Sequence, residues 1–138
     1  MRSLAVRLAV AIAVVGSNAC GANTPTEPAP VYELKESVFT GTVEIAGKLP
    51  FMFTVVNPGT IRVSITALAP TSTIAMGVAL GFWDAAATTC VEELSTNAAT
   101  LNVALTATPS APGDYCVAIY DSGNVQVPTE FTMRVTYY

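Results

Sequence analysis

The acidic side chains are the first candidates for chemistry. Five of them, all in the second half of the chain, are candidates: Asp84, Glu92, Glu93, Asp114 and Asp121. Two carboxyl groups held about 5–9 Å apart around a sugar can hydrolyse a glycosidic bond. Glu92 and Glu93 are adjacent, so on a β-strand they face opposite ways. The spacing favours solvated acids at loops and strand ends over a catalytic pair, and we expect no enzymatic activity.

Four residues are candidates for ligand contact without catalysis. Asp84, Asp121 and Asn124, with neighbouring carbonyls, carry the oxygen atoms that calcium prefers as ligands. Trp83, beside Phe82, is a candidate platform for stacking on a sugar ring. Turn formation and edge packing are the structural alternatives for the same side chains. A glycan- or calcium-binding module is therefore the second functional hypothesis.

The composition excludes several classes of function. Histidine is absent, which removes the commonest general base near neutral pH and the commonest metal ligand. The six basic residues include no adjacent pair and face ten acidic ones, for a net charge of −4. Phosphate binding needs clustered positive charge. We therefore expect no cofactor, no resident metal ion and no nucleic-acid partner.

The three cysteines suggest how the chain is stabilised. They are Cys20, Cys90 and Cys116, and an odd number in an exported protein leaves one unpaired. If Cys20 is modified, the other two form a natural disulfide, whose loop closure stabilises by about 3–4 kcal/mol. Cys116 is out of phase with Tyr115 and Val117, which predicts that its side chain points to the outer face of its strand.

From Tyr32 onward the apolar residues recur with a period of two, which is typical of half-buried β-strands. The alternation is clearest in TIRVSITALAP, residues 60–70, which places Ile61, Val63, Ile65 and Ala67 on one face. Other strands are predicted around inward sets that include Phe39, Gly41, Val43 and Ile45; Phe51, Phe53 and Val55; Met76, Val78, Leu80 and Phe82; Leu101, Val103 and Leu105; Tyr115, Val117 and Ile119; and Phe131, Met133, Val135 and Tyr137. TTCVEEL, residues 88–94, gives a short and weak strand.

About eight such strands, separated by Pro, Gly, Asn and Ser, predict an all-β fold. Alternation with one buried and one wet face suits antiparallel sheets, and two sheets packed face to face bury all the apolar faces. We expect an antiparallel β-sandwich over residues 32–138, of either jelly-roll or immunoglobulin-like topology.

The N-terminus has the layout of a signal peptide. MRSLAVR is positively charged, LAVAIAVVG is apolar and small residues follow. Ser17 to Ala19 fit the small-x-small pattern of ordinary secretion. Ala19 followed by Cys20 also resembles a bacterial lipoprotein signal, in which the cysteine is lipidated, although Ser17 occupies a position where that family usually has an aliphatic residue.

The next segment, GANTPTEPAP, is small, polar and rich in proline, as expected of an extended tether. These features predict a signal peptide over residues 1–19 and a lipidated Cys20 with its flexible tether over residues 20–31. The corresponding localisation is the bacterial cell envelope, on the outer membrane or cell surface. A periplasmic or secreted location is the alternative if Cys20 is unmodified.

Three stretches of the predicted sandwich are similar to a known family. They are FTGTV at residues 39–43, PGTIRVSIT at 58–66 and PGDYCVAIYD at 112–121. Together they resemble the pre-peptidase C-terminal domains appended to bacterial secreted proteins. The resemblance implies a non-catalytic accessory module. We therefore expect an interaction or structural module whose partners are the membrane, through the lipid anchor, and other exported proteins.

Overall fold

The computed structural model describes residues 27–102 and 104–138, and every regular element in them is a β-strand. The described part contains no helix that is long and apolar enough to cross a membrane. Residues Val31–Tyr138 form one unit. Its eight strands are β1 (Lys35–Val43), β2 (Lys48–Val55), β3 (Ile61–Ala69), β4 (Met76–Asp84), β5 (Thr89–Ala99), β6 (Ala104–Ala107), β7 (Gly113–Tyr120) and β8 (Thr129–Tyr137).

The strands form two four-stranded antiparallel sheets, ordered β1-β8-β3-β6 and β2-β7-β4-β5. The predicted β-sandwich is thus confirmed. An immunoglobulin-type sandwich keeps its first two strands in one sheet, whereas here β1 and β2 lie in different sheets. The strand order is that of a jelly roll, which is built from two Greek keys.

The core lies between the two sheets, where the predicted period of two is largely observed. In β8 the alternate residues Phe131, Met133, Val135 and Tyr137 are all buried. Removing an aliphatic or aromatic side chain of this size from water stabilises by about 1.5–3 kcal/mol. The buried set of inward residues therefore accounts for the choice of face on each strand.

Three inward predictions were wrong, at Ala67, Ile45 and Phe82, and the first two follow from β3 and β1. The ladder between β3 and β8 shifts register between Ile65 and Ala67, and such a bulge reverses the faces of the residues after it. Ala67 is consequently exposed and Leu68 is buried. Ile45 lies beyond the end of β1 and is 60% exposed, because the chain has already turned away from the core.

The boundaries of β5 and β6 also differ from the prediction. The weak stretch at residues 88–94 belongs to an 11-residue strand, whereas β6 has only four residues. β5 is long because it pairs with β4 from Asp84 opposite Thr89 to Met76 opposite Ala99, along a ladder that two bulges interrupt. Tertiary pairing here overrides the local apolar pattern. Val103 lies outside the described residues.

A row of small residues on the outer face of β4 allows β5 to curl over it. Gly77, Ala79 and Gly81 are buried although they face away from the core. A Cβ atom on Gly81 would overlap the carbonyl oxygen of Val91 in β5. Only glycine permits an approach of the backbone this close.

The curl of β5 brings the two later cysteines together. Cys90 and Cys116 lie on β5 and β7, with β4 between them, so a flat sheet would separate their Cα atoms by roughly 9–10 Å. The observed Cα–Cα distance is 5.5 Å, and the two residues form a disulfide. Cys116 points to the outer face, as predicted, yet as a member of the bridge it is fully buried.

Two polar contacts on the same outer face join β5 to β7 and β2, the strands that lie beyond β4. The Tyr120 hydroxyl of β7 donates to Asn97 Oδ1 at 2.7 Å, and its ring covers Gly77. Lys48 of β2 forms an ion pair with Glu92 of β5, and its Nζ lies 5.4 Å from the centroid of the Tyr120 ring. The disulfide and these contacts fasten β5 across the sheet.

Replacing both cysteines, as in Cys90→Ala/Cys116→Ala, should lower the free energy of unfolding by about 3–4 kcal/mol. The bridge spans 26 residues of sequence, and chain entropy in the unfolded state rises by about that amount when such a loop opens. Urea denaturation of the oxidised protein and of the double variant measures the difference. An unchanged midpoint would contradict a stabilising role for the bridge.

Gly81→Ala should destabilise by about 3 kcal/mol, because the new methyl group overlaps the β5 backbone, which cannot move without disturbing the disulfide. The control is Gly113→Ala, where the added Cβ would meet only Tyr115 Cε2 at 3.8 Å. The control should remain within about 1 kcal/mol of the wild type. Equal thermal stability of the two variants would disprove the close approach at Gly81.

Candidate functional site

Asp84 serves as a turn residue at the end of β4. Its Oδ1 accepts hydrogen bonds from the backbone N–H groups of Ala86 and Ala87, at 2.9 and 3.1 Å. This is the Asx-type geometry by which aspartate orders a tight connection. The carboxylate of Asp84 thus organises the connection from β4 to β5.

Asp121 organises the connection that follows β7. Its Oδ1 accepts from the N–H groups of Gly123, Asn124 and Val125 at 2.7–3.0 Å, and its Oδ2 accepts from Ala46 N–H at 2.9 Å. These bonds, led by those from Val125 and Ala46, lower the pKa of Asp121 below its usual range because they favour the ionised form. The side chain joins two loops of the sandwich.

Asn124 belongs to the same end of the fold. Its Nδ2 donates to the carbonyl of Ala75 at 3.0 Å and to Ser122 Oγ at 3.0 Å. Ala75 immediately precedes β4. The amide thus ties the connection after β7 to the connection before β4.

The structure does not bring Asp84 together with Asp121 and Asn124. Gly77, near the start of β4, is opposite Tyr120, whereas Asp84 ends the same strand. Seven residues of extended chain place the two turns roughly 20 Å apart. The convergence of oxygen ligands that the alternative calcium site would need is therefore not found. Within residues 27–102 and 104–138, no three His, Cys, Asp or Glu side chains form a group that could hold a metal ion.

Trp83 lies on the outer face at the end of β4, opposite Cys90, and is half-buried. It lines neither of the two pockets described below. Cys20 lies outside the described residues. Trp83 and Asp84 therefore lie at one end of β4 and Asp121 and Asn124 near the other, so the four do not form one site.

A pocket of about 420 Å³ opens between β5 and β6, at the end of the sandwich where β7 begins. We call it the Phe82 pocket. Its floor includes Ile61 and Leu80, and residues 107–113 form one wall. The facing wall contains Phe82, Glu93, Leu94 and Tyr115. The volume is in the range of small-molecule sites, at its lower end.

A β-bulge places Glu93 at this pocket. The β4–β5 ladder pairs Leu80 with Leu94 and Gly81 with Glu92, which leaves Glu93 as the extra residue. Bulges redirect side chains in this way, and Glu93 and Leu94 both line the pocket although they are adjacent. Glu92, in contrast, pairs with Lys48 on the outer face. The prediction that the side chains of Glu92 and Glu93 point to opposite faces of the strand is confirmed.

Tyr115 gives the pocket a defined polar atom. Its hydroxyl donates to the carbonyl of Ala111 at 2.9 Å, and its ring lies 4.9 Å from that of Phe82. Burial, and secondarily the negative charge of Glu93, raise the pKa of Tyr115 above its usual range. The tyrosine therefore stays neutral at physiological pH.

The sequence pattern missed this pocket for a physical reason. Phe82 and Tyr115 are in phase with the core residues of their strands, so the alternation assigned them to the interior. Phe82 is nevertheless 43% exposed, because it lies near the end of β4 and lines the pocket. A bulge within TTCVEEL carries no sequence signal of its own.

A second, shallower groove of about 360 Å³ crosses the outer face of β1, β8 and β3. Its rim includes Thr40, Thr42 and Thr132, with Glu130. The Thr66 hydroxyl nearby donates to the carbonyl of Thr132 at 3.2 Å. The groove is more polar and more open than the Phe82 pocket. Phe131 is the one aromatic residue among its described lining residues, and it is buried in the core.

The comparisons with known proteins bear on the fold alone. No family model matches the chain, and no curated protein matches its sequence. Among solved structures, the crystal structure of a Yersinia pseudotuberculosis-derived mitogen is similar, with a TM-score of 0.54 and 13% sequence identity. The likeness covers 75% of this chain and 86% of the mitogen. It supports the sandwich architecture.

Asp121→Asn should lower the melting temperature at pH 7, because an amide has one acceptor oxygen and cannot serve both Val125 and Ala46. Since the folded-state pKa of Asp121 is lowered, its contribution to stability is present above about pH 4 and is lost as the pH falls further. The difference between wild type and variant should therefore shrink at acid pH.

Asp84→Asn is the matched control, since the single oxygen of an asparagine can still accept from Ala86 and Ala87. Its melting temperature should stay closer to that of the wild type. Thermal melts from pH 2.5 to pH 7 make the comparison. A stability difference for Asp121→Asn that persists unchanged at the lowest pH would contradict the electrostatic explanation.

Proposed function

We propose that this chain is an exported, lipid-anchored bacterial protein whose β-sandwich is a non-catalytic interaction module. The disulfide between Cys90 and Cys116 is the observation that carries the proposal. Disulfides of this structural kind persist in oxidising compartments and are rare in the cytosol. Export accounts for the bridge and agrees with the signal-like N-terminus.

The lipid anchor is supported by the arithmetic of the cysteines. Cys90 and Cys116 bond to each other, which leaves Cys20 as the third. Its position after a short apolar run, and before a proline-rich segment, agrees with lipidation. A multiply acylated cysteine anchors stably, because two or more chains suffice where one is marginal.

The Phe82 pocket supports binding over catalysis. Glu93 is the one carboxylate among its described lining residues, whereas glycoside hydrolysis uses two. The chain has no histidine to serve as a general base. An accessory role like that implied by the pre-peptidase resemblance fits a pocket that holds a group without transforming it. The partners we propose are other exported proteins.

The native protein from bacterial membranes should begin at a lipid-modified Cys20 and partition into the detergent phase. Cys20→Ser should appear in the aqueous phase with its Cys90–Cys116 bridge intact. Mass spectrometry of the N-terminus and phase partitioning provide the two readouts. The Cys90→Ala/Cys116→Ala variant is the control, and it should retain the lipid. An unmodified N-terminus at Cys20 or later would eliminate the anchor.

A further inference from the structure

The Phe82 pocket presents hydrogen-bond acceptors at its polar side. The Tyr115 hydroxyl proton is already committed to the carbonyl of Ala111, at 2.9 Å. The phenolic oxygen can therefore accept a hydrogen bond but has no second proton to give. The Glu93 carboxylate, which is near enough to raise the pKa of Tyr115, is also an acceptor only. A ligand that satisfies both groups must bring donors.

Glu93 also lacks a compensating positive charge. The ion pairs of the described residues are Lys48–Glu92 and Arg134–Glu36, and no lysine or arginine is among the described residues that line the pocket. No hydrogen bond to the Glu93 side chain is formed within the same ranges. Glu93 is exposed, so its carboxylate gives the pocket a negative charge that solvent, and no group of the described protein, screens.

The rest of the wall is apolar. Phe82 is 43% exposed and Leu94 is 39% exposed, both beside Glu93. Pro109 and Pro112 lie in the opposite wall. A hydrocarbon stem that covers these side chains gains roughly 0.8 kcal/mol for each methylene it buries. An aromatic ring such as Phe82 also attracts a cation that lies over its face.

We propose that the Phe82 pocket binds an aliphatic primary ammonium, the group that ends a lysine side chain. The ammonium lies at Glu93 and the Tyr115 oxygen, and the methylene stem packs on Phe82 and Leu94. A volume of about 420 Å³ suits one long side chain or a small amine. The assignment to a lysine of another exported protein rests on the function proposed above, whereas the ligand chemistry rests on the pocket alone.

The ligand chemistry is tested with hexylammonium, using hexan-1-ol as the neutral analogue and the oxidised protein as receptor. Titration followed by amide NMR should shift the resonances of residues 107–113 and of β5 with hexylammonium. Hexan-1-ol should bind at least about tenfold more weakly, because charge-assisted hydrogen bonds are lost. Equal binding of the two compounds, or no shift with either, would overturn the proposal.

Glu93→Gln should weaken the binding of hexylammonium by about three- to fivefold, because solvent screens an ion pair at an exposed carboxylate. The matched control is Glu92→Gln, which makes the same change of charge one residue away, on the face where Lys48 is bound. It should bind as the wild type does. Phe82→Leu keeps the apolar volume and should bind only a few-fold more weakly. A Glu93→Gln variant that melts like the wild type and binds normally would refute the role of Glu93.

The source of the ammonium is tested with an uncharged-ended peptide that contains one lysine, and with its Nε-acetylated form. Binding of the lysine peptide alone supports a protein partner. Binding of hexylammonium but of neither peptide overturns the protein source and leaves a free amine as the ligand. The lipid anchor is tested separately, by the mass of the native N-terminus. A negative binding result therefore refutes the ligand without bearing on the anchor.

Discussion

The close approach of β5 to Gly81 is the constraint on which the rest of the structure depends. Without a side chain at that position, the β5 backbone lies over the outer face of β4. The curl carries Cys90 to Cys116, and the accompanying bulge leaves Glu93 as an extra residue at the opposite face. One missing methyl group therefore underlies both the covalent bridge and the shape of the pocket.

Three of the acidic residues, Asp84, Asp121 and Glu93, differ in their hydrogen bonds. Asp84 Oδ1 and both oxygen atoms of Asp121 accept from backbone N–H groups, which include Ala46 N–H in the connection between β1 and β2. Such carboxylates are already solvated by the protein, so they hold loops in place and offer little to a cation. Glu93 lacks such partners within the described residues and is exposed to solvent at the edge of the pocket. The distinction depends on tertiary contacts that spacing along the chain does not reveal.

Much of the fold could be predicted from the sequence because its causes are local. Apolar residues at alternate positions must share a face, so the sandwich and the burial of Met133 and Val135 follow from the pattern. Bulges arise where a ladder with a distant strand slips by one residue, as it does after Ile65. Ala67 and the pocket at Glu93 therefore required coordinates. The choice of jelly roll over an immunoglobulin-like order depends on which strands pair, which hydropathy does not encode.

The pairing of β1 with β8 also determines how the domain is presented. Lys35 is opposite Tyr137, and the Tyr138 carbonyl accepts from Val56 and Asn57 N–H, so the chain enters and leaves at one pole. β7 starts at that same pole, since Gly113 is opposite Val55. A fusion partner joined after Tyr138 would crowd the opening of the Phe82 pocket. A fluorophore or epitope inserted near Ser72, in the exposed connection between β3 and β4 at the other pole, would leave the pocket accessible.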